Sequence, residues 1–197
     1  PGALAGLMRL HTEHGSLPLA TVMAPAIEYA EHGFRLTAGE ARQLAAGARE
    51  AARFPATREI YVKPDGSPYT SGDMLVQKDY ARTLRAIAAG GHDAFYRGAI
   101  AEHMAADLAA HGSAVKLQAF HDYKALDARI LRGSYRGYDL VGLDVPAAGG
   151  VVFQALHVME NFDPDAMDDE EWAAIIGQAL GIASRELRTG LNTDTGS

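Results

Sequence analysis

The sequence predicts a mainly α-helical protein with a small β portion, and two patterns and the composition support this fold class. Apolar residues recur every three or four positions in several segments, which is the period of one helix face. β-forming residues instead cluster around Gly133 and Gly137. The composition, 48% hydrophobic and 22% charged, is that of an ordinary folded protein. The segments with the helical period are 19–30, 77–89, 93–110 and 151–187.

The first helices are predicted from their boundaries as well as their period. A short helix over 3–10 ends at Gly15, and the next one continues until Gly33. Pro25 lies inside the second pattern and predicts a kink or break, because proline removes a backbone donor and clashes with the preceding turn.

Thr37 and Glu40 are spaced as a capping box, which predicts a helix over 37–54 that Pro55 closes. Segment 55–73 is then predicted to be an ordered loop or small hairpin, because Ile60-Tyr61-Val62 favours a strand and Pro64-Asp65-Gly66 favours a turn.

Glycines delimit the middle helices. Gly90-Gly91 is predicted to end the helix over 77–89, and Gly98 to interrupt the one over 93–110.

The C-terminal third predicts two strands, over 129–131 and 135–145, then a tight loop and a helix over 151–162. A final helix starts at the acidic run 168–171 and ends near Leu187. Residues 188–197 are predicted to form a flexible tail, because small and polar residues offer little apolar surface to bury.

Composition excludes several function classes. The net charge of −7, with no block of basic residues, predicts no nucleic-acid partner. The absence of cysteine excludes thiolate zinc sites and cysteine nucleophiles. No apolar run reaches the roughly 18 residues of a membrane span. The start at Pro1 suggests a portion of a longer protein.

Three local strings could carry chemistry, and each has a simpler interpretation. His11-Thr12-Glu13-His14 lacks the spacing of H-E-x-x-H, so we interpret it as polar residues at a helix end. The acidic run 168–171 is interpreted as a solvated helix start rather than a cation site. Gly149-Gly150 either forms an anion-binding turn or permits tight packing. We therefore predict no metal site and no cofactor.

Several short strings share their order and spacing with one protein family. Read together, they resemble the large subunit of γ-glutamyltranspeptidases over residues 1–187. The strings are Pro1-Gly2-Ala3-Leu4-Ala5-Gly6-Leu7, His14-Gly15-Ser16-Leu17-Pro18, Ala24-Pro25-Ala26-Ile27, Ala30-Glu31-His32-Gly33-Phe34, Gly72-Asp73 with Leu75-Val76-Gln77, Ala81-Arg82-Thr83-Leu84, Asp93-Ala94-Phe95-Tyr96-Arg97-Gly98 with Ile100-Ala101, and Leu131-Arg132-Gly133-Ser134-Tyr135-Arg136-Gly137-Tyr138 followed by Val145-Pro146-Ala147-Ala148-Gly149-Gly150.

The resemblance implies a fold, a mechanism and a partner. The fold is part of an αββα assembly like that of N-terminal-nucleophile hydrolases. A precursor of this family cuts itself, and the new N-terminal threonine of the small subunit attacks a γ-glutamyl amide with its own amine as base. That threonine is expected after residue 197, and the arginine that binds the substrate carboxylate before Pro1.

No catalytic residue is therefore assigned within this chain, its substrate-binding residues are unknown, and the chain alone is expected to be inactive. The resemblance implies a periplasmic or extracellular location, with the cytoplasm left open. Ala147 and Ala148 depart from the family pattern, which has serines there. Two other functions stay open, an acylase that acts on a β-lactam side chain or a polyglutamate chain, and an inactive homologue that only binds partners.

Overall fold

The computed structural model describes residues 2–144 and 147–193, with side chains described as far as residue 185. Helices account for 63% of the protein, and two small antiparallel sheets accompany them, which confirms the predicted fold class. The chain divides into two compact units, Pro1–Ala125 and Leu126–Ser197.

The first unit contains most of the helices. Their bounds, with those of two short strands, are α1 Gly2–His14, α2 Leu19–His32, β1 Phe34–Arg35, α3 Ala38–Ala51, α4 Pro55–Tyr61, β2 Met74–Leu75, α5 Lys78–Tyr96, α6 Ala99–Ala110 and α7 Leu117–His121.

The packing of α2 on α5 forms the largest helix contact of this unit. Ala30 from α2 meets Ala81 and Leu84 from α5, and Met23 and Ile27 pack around them. Alanine at the contact lets the two helix backbones approach closely. The helix α2 continues through Pro25, so no break occurs there, and the kink stays a prediction. Proline fixes φ near the helical value, which makes this placement possible.

Two short strands, β1 and β2, pair with each other at the two ends of the segment that connects α2 to α5. Phe34 pairs with Leu75 and Arg35 with Met74 in antiparallel register. Gly33 takes a φ of 86°, a value that favours glycine, and so lets the chain leave α2 and enter β1. These strands are too short to show a period of two in the sequence.

The capping box that begins α3 is confirmed. The Thr37 side chain accepts from the Glu40 amide, and the Glu40 carboxylate accepts from the Thr37 amide at 2.8 Å. Each residue thereby satisfies a donor that the first helical turn leaves unpaired.

The prediction for 55–73 is wrong in its first part. Residues 55–61 form α4 with Pro55 at its first turn, and Ile60 and Tyr61 are helical. Proline is well tolerated at that position, because its missing N–H would have no partner in the helix. Pro55 therefore starts a helix, whereas α3 has already ended at Ala51.

The glycine boundaries are confirmed. Gly91 leaves helical geometry with φ 59° and divides α5 into two helical parts at the predicted place. The second part ends at Tyr96, and Gly98 precedes the first residue of α6, so the helix is interrupted there as predicted. The helix α7, over Leu117–His121, was not predicted, because five residues are too few to show a helical period.

The second unit begins with the two predicted strands. β3 spans Ile130–Tyr135 and β4 spans Tyr138–Leu143, paired antiparallel from Ile130↔Leu143 to Tyr135↔Tyr138. Arg136 and Gly137 both have positive φ, 48° and 84°, as a two-residue type I′ turn requires.

Two helices follow the hairpin. α8 spans Gly149–Met159 and α9 spans Asp169–Thr193, with a short 3-10 helix at Pro164–Ala166 between them. Ala155 of α8 packs against Ala179 and Ala183 of α9, both completely buried. The helix α9 continues beyond the predicted end at Leu187. The flexible tail over 188–197 stays a prediction, and residues 194–197, like Pro1, Val145 and Pro146, lie outside the described residues.

Arg136 joins the hairpin turn to the helices of its own unit. Its amide donates to the Glu160 carboxylate at 2.8 Å, and its guanidinium donates to the Phe162 carbonyl at 2.6 Å. The guanidinium also lies over the rings of Tyr135 and Trp172, 5.3 and 5.8 Å from their centroids. Arg136 thus links the turn to the segment that follows α8 and to Trp172 near the start of α9.

We expect Arg136→Ala to lower the free energy of unfolding by about 1–2 kcal/mol, because a charged hydrogen bond and two ring contacts are lost. Urea denaturation followed by circular dichroism measures this. Arg132→Ala, at an exposed arginine of the same hairpin, is the matched control, with an expected change within about 0.5 kcal/mol. Equal effects of the two substitutions would contradict this role for Arg136.

Candidate functional site

The glycine pair that opens α8 is the first candidate from the sequence, and the structure assigns Gly149 to packing. A Cβ on Gly149 would collide with the Leu143 carbonyl oxygen and lie 2.9 Å from the Leu143 amide nitrogen. Only glycine lets the start of α8 lie directly against β4. A Cβ on Gly150 would make an ordinary 3.9 Å contact with Leu131. The packing alternative is therefore confirmed for Gly149.

The same close approach continues along the hairpin. A Cβ on Gly133 or Gly142 would lie 3.3 or 3.2 Å from the ring of Phe153, which projects from α8. The Phe153 ring thus packs against Gly133 of β3 and Gly142 of β4, where the absence of side chains leaves room for it. Gly133, Gly142 and Gly149 thus allow α8 to pack closely against the hairpin.

The histidines of His11-Thr12-Glu13-His14 lie at the end of α1, as interpreted. The His11 ring bonds the Leu17 carbonyl through Nε2 at 2.9 Å, which joins the helix end to the following turn. His14 is the last residue of the helix and is largely exposed. Within residues 2–144 and 147–193, no three His, Asp or Glu side chains are grouped so that they could hold a metal ion.

The acidic run that precedes α9 is a helix cap. The Asp168 carboxylate accepts from the Glu171 amide at 2.8 Å, and the Glu171 carboxylate accepts from the Asp168 amide at 3.3 Å. Asp169 and Glu170 are exposed. The run is thus a solvated helix start, as predicted, with a reciprocal cap that its composition alone did not reveal.

Tyr96 is the largest fully buried side chain among the described residues, and sequence reasoning gave it no role. Its hydroxyl accepts from the Ala5 amide at 3.1 Å, which joins α5 to the first turns of α1. Its ring stacks on His92 and Tyr123, with centroids 4.4 and 5.7 Å away. Burial raises the pKa of the Tyr96 hydroxyl. The family-like string around Tyr96 therefore supplies a core residue that joins two helices.

Asp73, from the Gly72-Asp73 string, organises the loop between α4 and β2. Its carboxylate accepts from the Thr70 amide and hydroxyl at 2.8 and 2.9 Å, and from the Lys63 ammonium at 3.0 Å. The Thr70 amide, then Lys63 and the Thr70 hydroxyl, lower the pKa of Asp73 to about 2. The residue could have been suspected from the sequence, because Asp-containing turns commonly bond nearby backbone.

Two of the open cavities in the first unit are lined in part by ionisable residues. One, of about 480 Å³, lies between α2 and α5 and is mostly apolar, with the Glu31–Arg85 ion pair at its side. The hydrogen bond from Arg85 lowers the pKa of Glu31. The other, of about 330 Å³, lies beside α1 and is lined by Arg9, Glu13, His92 and Lys124 among others.

The polar groups described above hold helix ends, turns and loops in place, and they lie on different elements. Among the described residues, no helix is long and apolar enough to cross a membrane. This arrangement defines a helical scaffold with a small sheet, and its fold is that of N-terminal-nucleophile hydrolases of the γ-glutamyltranspeptidase type.

The chain belongs to the γ-glutamyltranspeptidase family, because the family model described as Gamma-glutamyltranspeptidase matches residues 1–188. It is 36% identical over 186 residues to the Acylase ACY 1 proenzyme of Pseudomonas sp. (strain SE83), which covers 93% of this chain and 33% of the relative. It is 34% identical over 165 residues to the Glutathione hydrolase proenzyme of Escherichia coli (strain K12), which covers 83% of this chain and 28% of the relative.

The structure is similar to that of the Helicobacter pylori gamma-Glutamyltranspeptidase, with a TM-score of 0.88 and 29% identity. The similarity covers 93% of this chain and 54% of that chain. This chain therefore spans about a third of the length of the curated relatives it matches.

The dependence of stability on pH tests the Asp73 network. Because the folded state holds the pKa of Asp73 at about 2, below the ordinary 3.8, the ionised carboxylate stabilises the fold above pH 3.8. That contribution disappears as the pH falls through 3.8 toward 2. We expect Asp73→Asn to destabilise the protein at neutral pH, with a difference from the parent that shrinks in this window, as measured by urea denaturation.

Thr70→Val is the graded control, because it removes the hydroxyl donor and keeps the amide donor. Thr70→Val should weaken the dependence of the free energy of unfolding on pH without abolishing it. A difference between Asp73→Asn and the parent that stays constant down to pH 2 would contradict the network.

Substitution of Gly149 and Gly150 tests the close packing of the start of α8 against β4. Gly149→Ala is expected to cost about 1–3 kcal/mol, because the helix must move away from β4 to make room. Gly150→Ala should be neutral or stabilising by up to about 1 kcal/mol, since alanine favours a helix. Thermal unfolding of both variants measures the difference, and similar melting temperatures would show that Gly149 is not confined as described.

Proposed function

We propose that this chain is the large-subunit portion of a γ-glutamyltransferase or hydrolase that acts on γ-glutamyl amides such as glutathione. The observation that carries the proposal is the family match, which extends collinearly over residues 1–188. Similarity to a relative named glutathione hydrolase supports the substrate class. Because the chain covers only part of such relatives, the activity belongs to the whole protein.

The proposed chemistry uses a nucleophile outside this chain. A precursor cleaves itself, and the new N-terminal threonine attacks the γ-glutamyl carbonyl while its own amine takes the hydroxyl proton. The amine of the γ-glutamyl amide leaves, and water or a second amine then takes the acyl group. The word proenzyme in the names of both relatives supports the processing step and a small-subunit partner.

In this proposal the chain supplies the framework of the enzyme. Gly149 and Phe153 fix α8 against the hairpin, and Tyr96 fixes α1 against α5. Neither contact requires a group that exchanges a proton during catalysis. The family resemblance also underlies our proposal that the enzyme works in the periplasm or outside the cell.

A related acylase is the second candidate, and two observations favour it. The chain is 36% identical to the acylase proenzyme, which is comparable to its 34% identity to the glutathione hydrolase. Ala147 and Ala148 replace the two serines of the family string, which removes two hydroxyl groups beside the start of α8. The same nucleophile would then act on an acyl group other than γ-glutamyl.

The experiment compares two chromogenic anilides with the complete precursor. γ-Glutamyl anilide and glutaryl anilide have the same chain length and differ only by the α-amino group. We expect processing into two chains, faster release of the coloured amine from the γ-glutamyl compound, and no turnover by residues 1–197 alone.

The outcomes separate the candidates. Faster release from glutaryl anilide would favour the acylase and overturn the γ-glutamyl assignment. A precursor that is neither processed nor active would favour the inactive homologue. Replacement of the processed N-terminal threonine by alanine is the control and should abolish both processing and turnover.

A further inference from the structure

Unpaired arginines are concentrated on two consecutive helices of the first unit. Most arginines of the chain pair with a carboxylate or a backbone carbonyl. Among the side chains that the structure describes, Arg42, Arg49, Arg58 and Arg132 form no hydrogen bond or ion pair with another described residue, and all four are exposed. Three of these four lie on α3 and α4, whereas Arg132 lies on β3.

The arginines of α3 project from one side of the helix. Arg42 and Arg49 are seven residues apart, which is two helical turns and about 10 Å along the axis. Between them, Ala46 is exposed and too short to cover either guanidinium. Arg53 follows four residues after Arg49, about 6 Å further along the same side, in the turn that follows α3. We define the arginine track as Arg42, Arg49, Arg53 and Arg58.

Arg58 extends the track beyond the end of α3. It lies in the wall of an open cavity of about 400 Å³, together with Ala52, the residue that follows α3. Lys63 also lines this cavity, but its ammonium donates to the Asp73 carboxylate. The guanidinium of Arg58 is therefore the cation on this side of α4 that has no partner among the described residues.

The track is locally basic although the chain as a whole is acidic. Segment 38–63 contains five basic and three acidic residues, a net charge of +2, whereas the chain carries −7. Glu40 is held in the capping box of α3, and Glu50 already pairs with Arg53. The helix dipole favours cations only near the C-terminus of a helix, so it does not account for Arg42 in the second turn. A basic strip on an acidic protein attracts an anionic partner.

We propose that the arginine track binds an extended acidic segment of a partner protein. Guanidinium groups bind carboxylates through paired hydrogen bonds. In an extended chain every second side chain points to the same side, about 6.6–6.8 Å apart, which is close to the spacing of Arg49 and Arg53. The track is also one residue wide, because Ala45 and Glu50 flank it on α3. A single row of cations fits a chain of carboxylates better than a flat anionic surface. The proposal goes beyond the proposed function and does not depend on it.

Fluorescence anisotropy with the complete precursor tests the proposal. The probe is a labelled ten-residue peptide of alternating aspartate and serine with blocked ends, which places its carboxylates on one side when extended. Its counterpart has asparagine in place of aspartate and the same label. Neither peptide contains a γ-glutamyl amide, so binding is separate from the proposed acyl transfer. We expect the aspartate peptide to bind at least about tenfold more tightly, with an affinity that falls as salt is added.

Paired variants assign the binding to the track. We expect Arg42→Gln combined with Arg49→Gln to weaken binding of the aspartate peptide at least about fivefold, because two charged contacts are lost. Arg42→Lys combined with Arg49→Lys keeps both charges but not the guanidinium geometry, and its affinity should lie between those of the parent and the glutamine variant. Arg132→Gln removes an exposed, unpaired arginine outside the track and should change the affinity less than twofold. Thermal unfolding should show that all variants fold as the parent does, because these side chains are exposed.

Three results would overturn the proposal. The first is equal binding of the aspartate and asparagine peptides. The second is an equal loss of affinity in the Arg132 variant and in the Arg42 and Arg49 glutamine variant. The third is no peptide binding together with track-dependent binding to vesicles of anionic phospholipid, which would assign the track to a membrane surface instead. An inactive precursor that binds the peptide through the track contradicts only the proposed function.

Discussion

Close approach of backbones through alanine and glycine is the constraint on which the rest of the structure depends. Each of the four buried clusters described contains alanine, from Ala30 with Ala81 to Ala155 with Ala179 and Ala183. Small side chains bring helices together at short distance, where many van der Waals contacts form. They also bury little apolar area per residue, so these clusters contribute less hydrophobic stabilisation than leucine-rich cores of equal length.

Several larger apolar side chains lie at the surface. Leu7, Leu10 and Val22 are more than half exposed, as are Tyr138 and Val141. Such exposure is common, because apolar atoms contribute about 55–60% of the accessible surface of a folded protein. Among the described residues, alanine is instead the commonest buried hydrophobic residue.

The sequence was informative wherever one local pattern determined the structure. The Thr37–Glu40 capping box depends on two nearby residues and was predicted at its observed place. The hairpin was predicted as two strands, but its turn at Arg136-Gly137 lies inside the second predicted strand. Pro55 was assigned wrongly because proline both ends helices and begins them, and the choice depends on where the previous helix stops. Gly90-Gly91 was predicted to end a helix, and Gly91 leaves helical geometry at that place before a second helical part begins.

The roles of the candidate site residues were less predictable, because each depends on a contact with a residue that is not its neighbour in the sequence. The packing role of Gly149 is evident only from the position of Leu143 on the neighbouring strand, and the role of Tyr96 only from the amide of Ala5. Asp73 needs Lys63, ten residues away, to complete its network. The strings that identify the family thus contain mainly residues that the fold requires. Some of them must lack a Cβ, and others must fill the space inside the core.

That correspondence explains why the chain is about equally similar to an acylase and to a glutathione hydrolase. Residues chosen by packing are constrained by the backbone around them, and a change of substrate does not alter that constraint. Ala147 lies in the sequence between Leu143 and Gly149, whose backbones are in close contact, and its own side chain is only partly buried. Position 147 can therefore hold serine or alanine without a change in the packing of α8 on β4. Position 149 must be glycine, because a Cβ there would collide with the backbone of Leu143. Within this string, differences in chemistry are expected at positions where a side chain can change without moving the backbone.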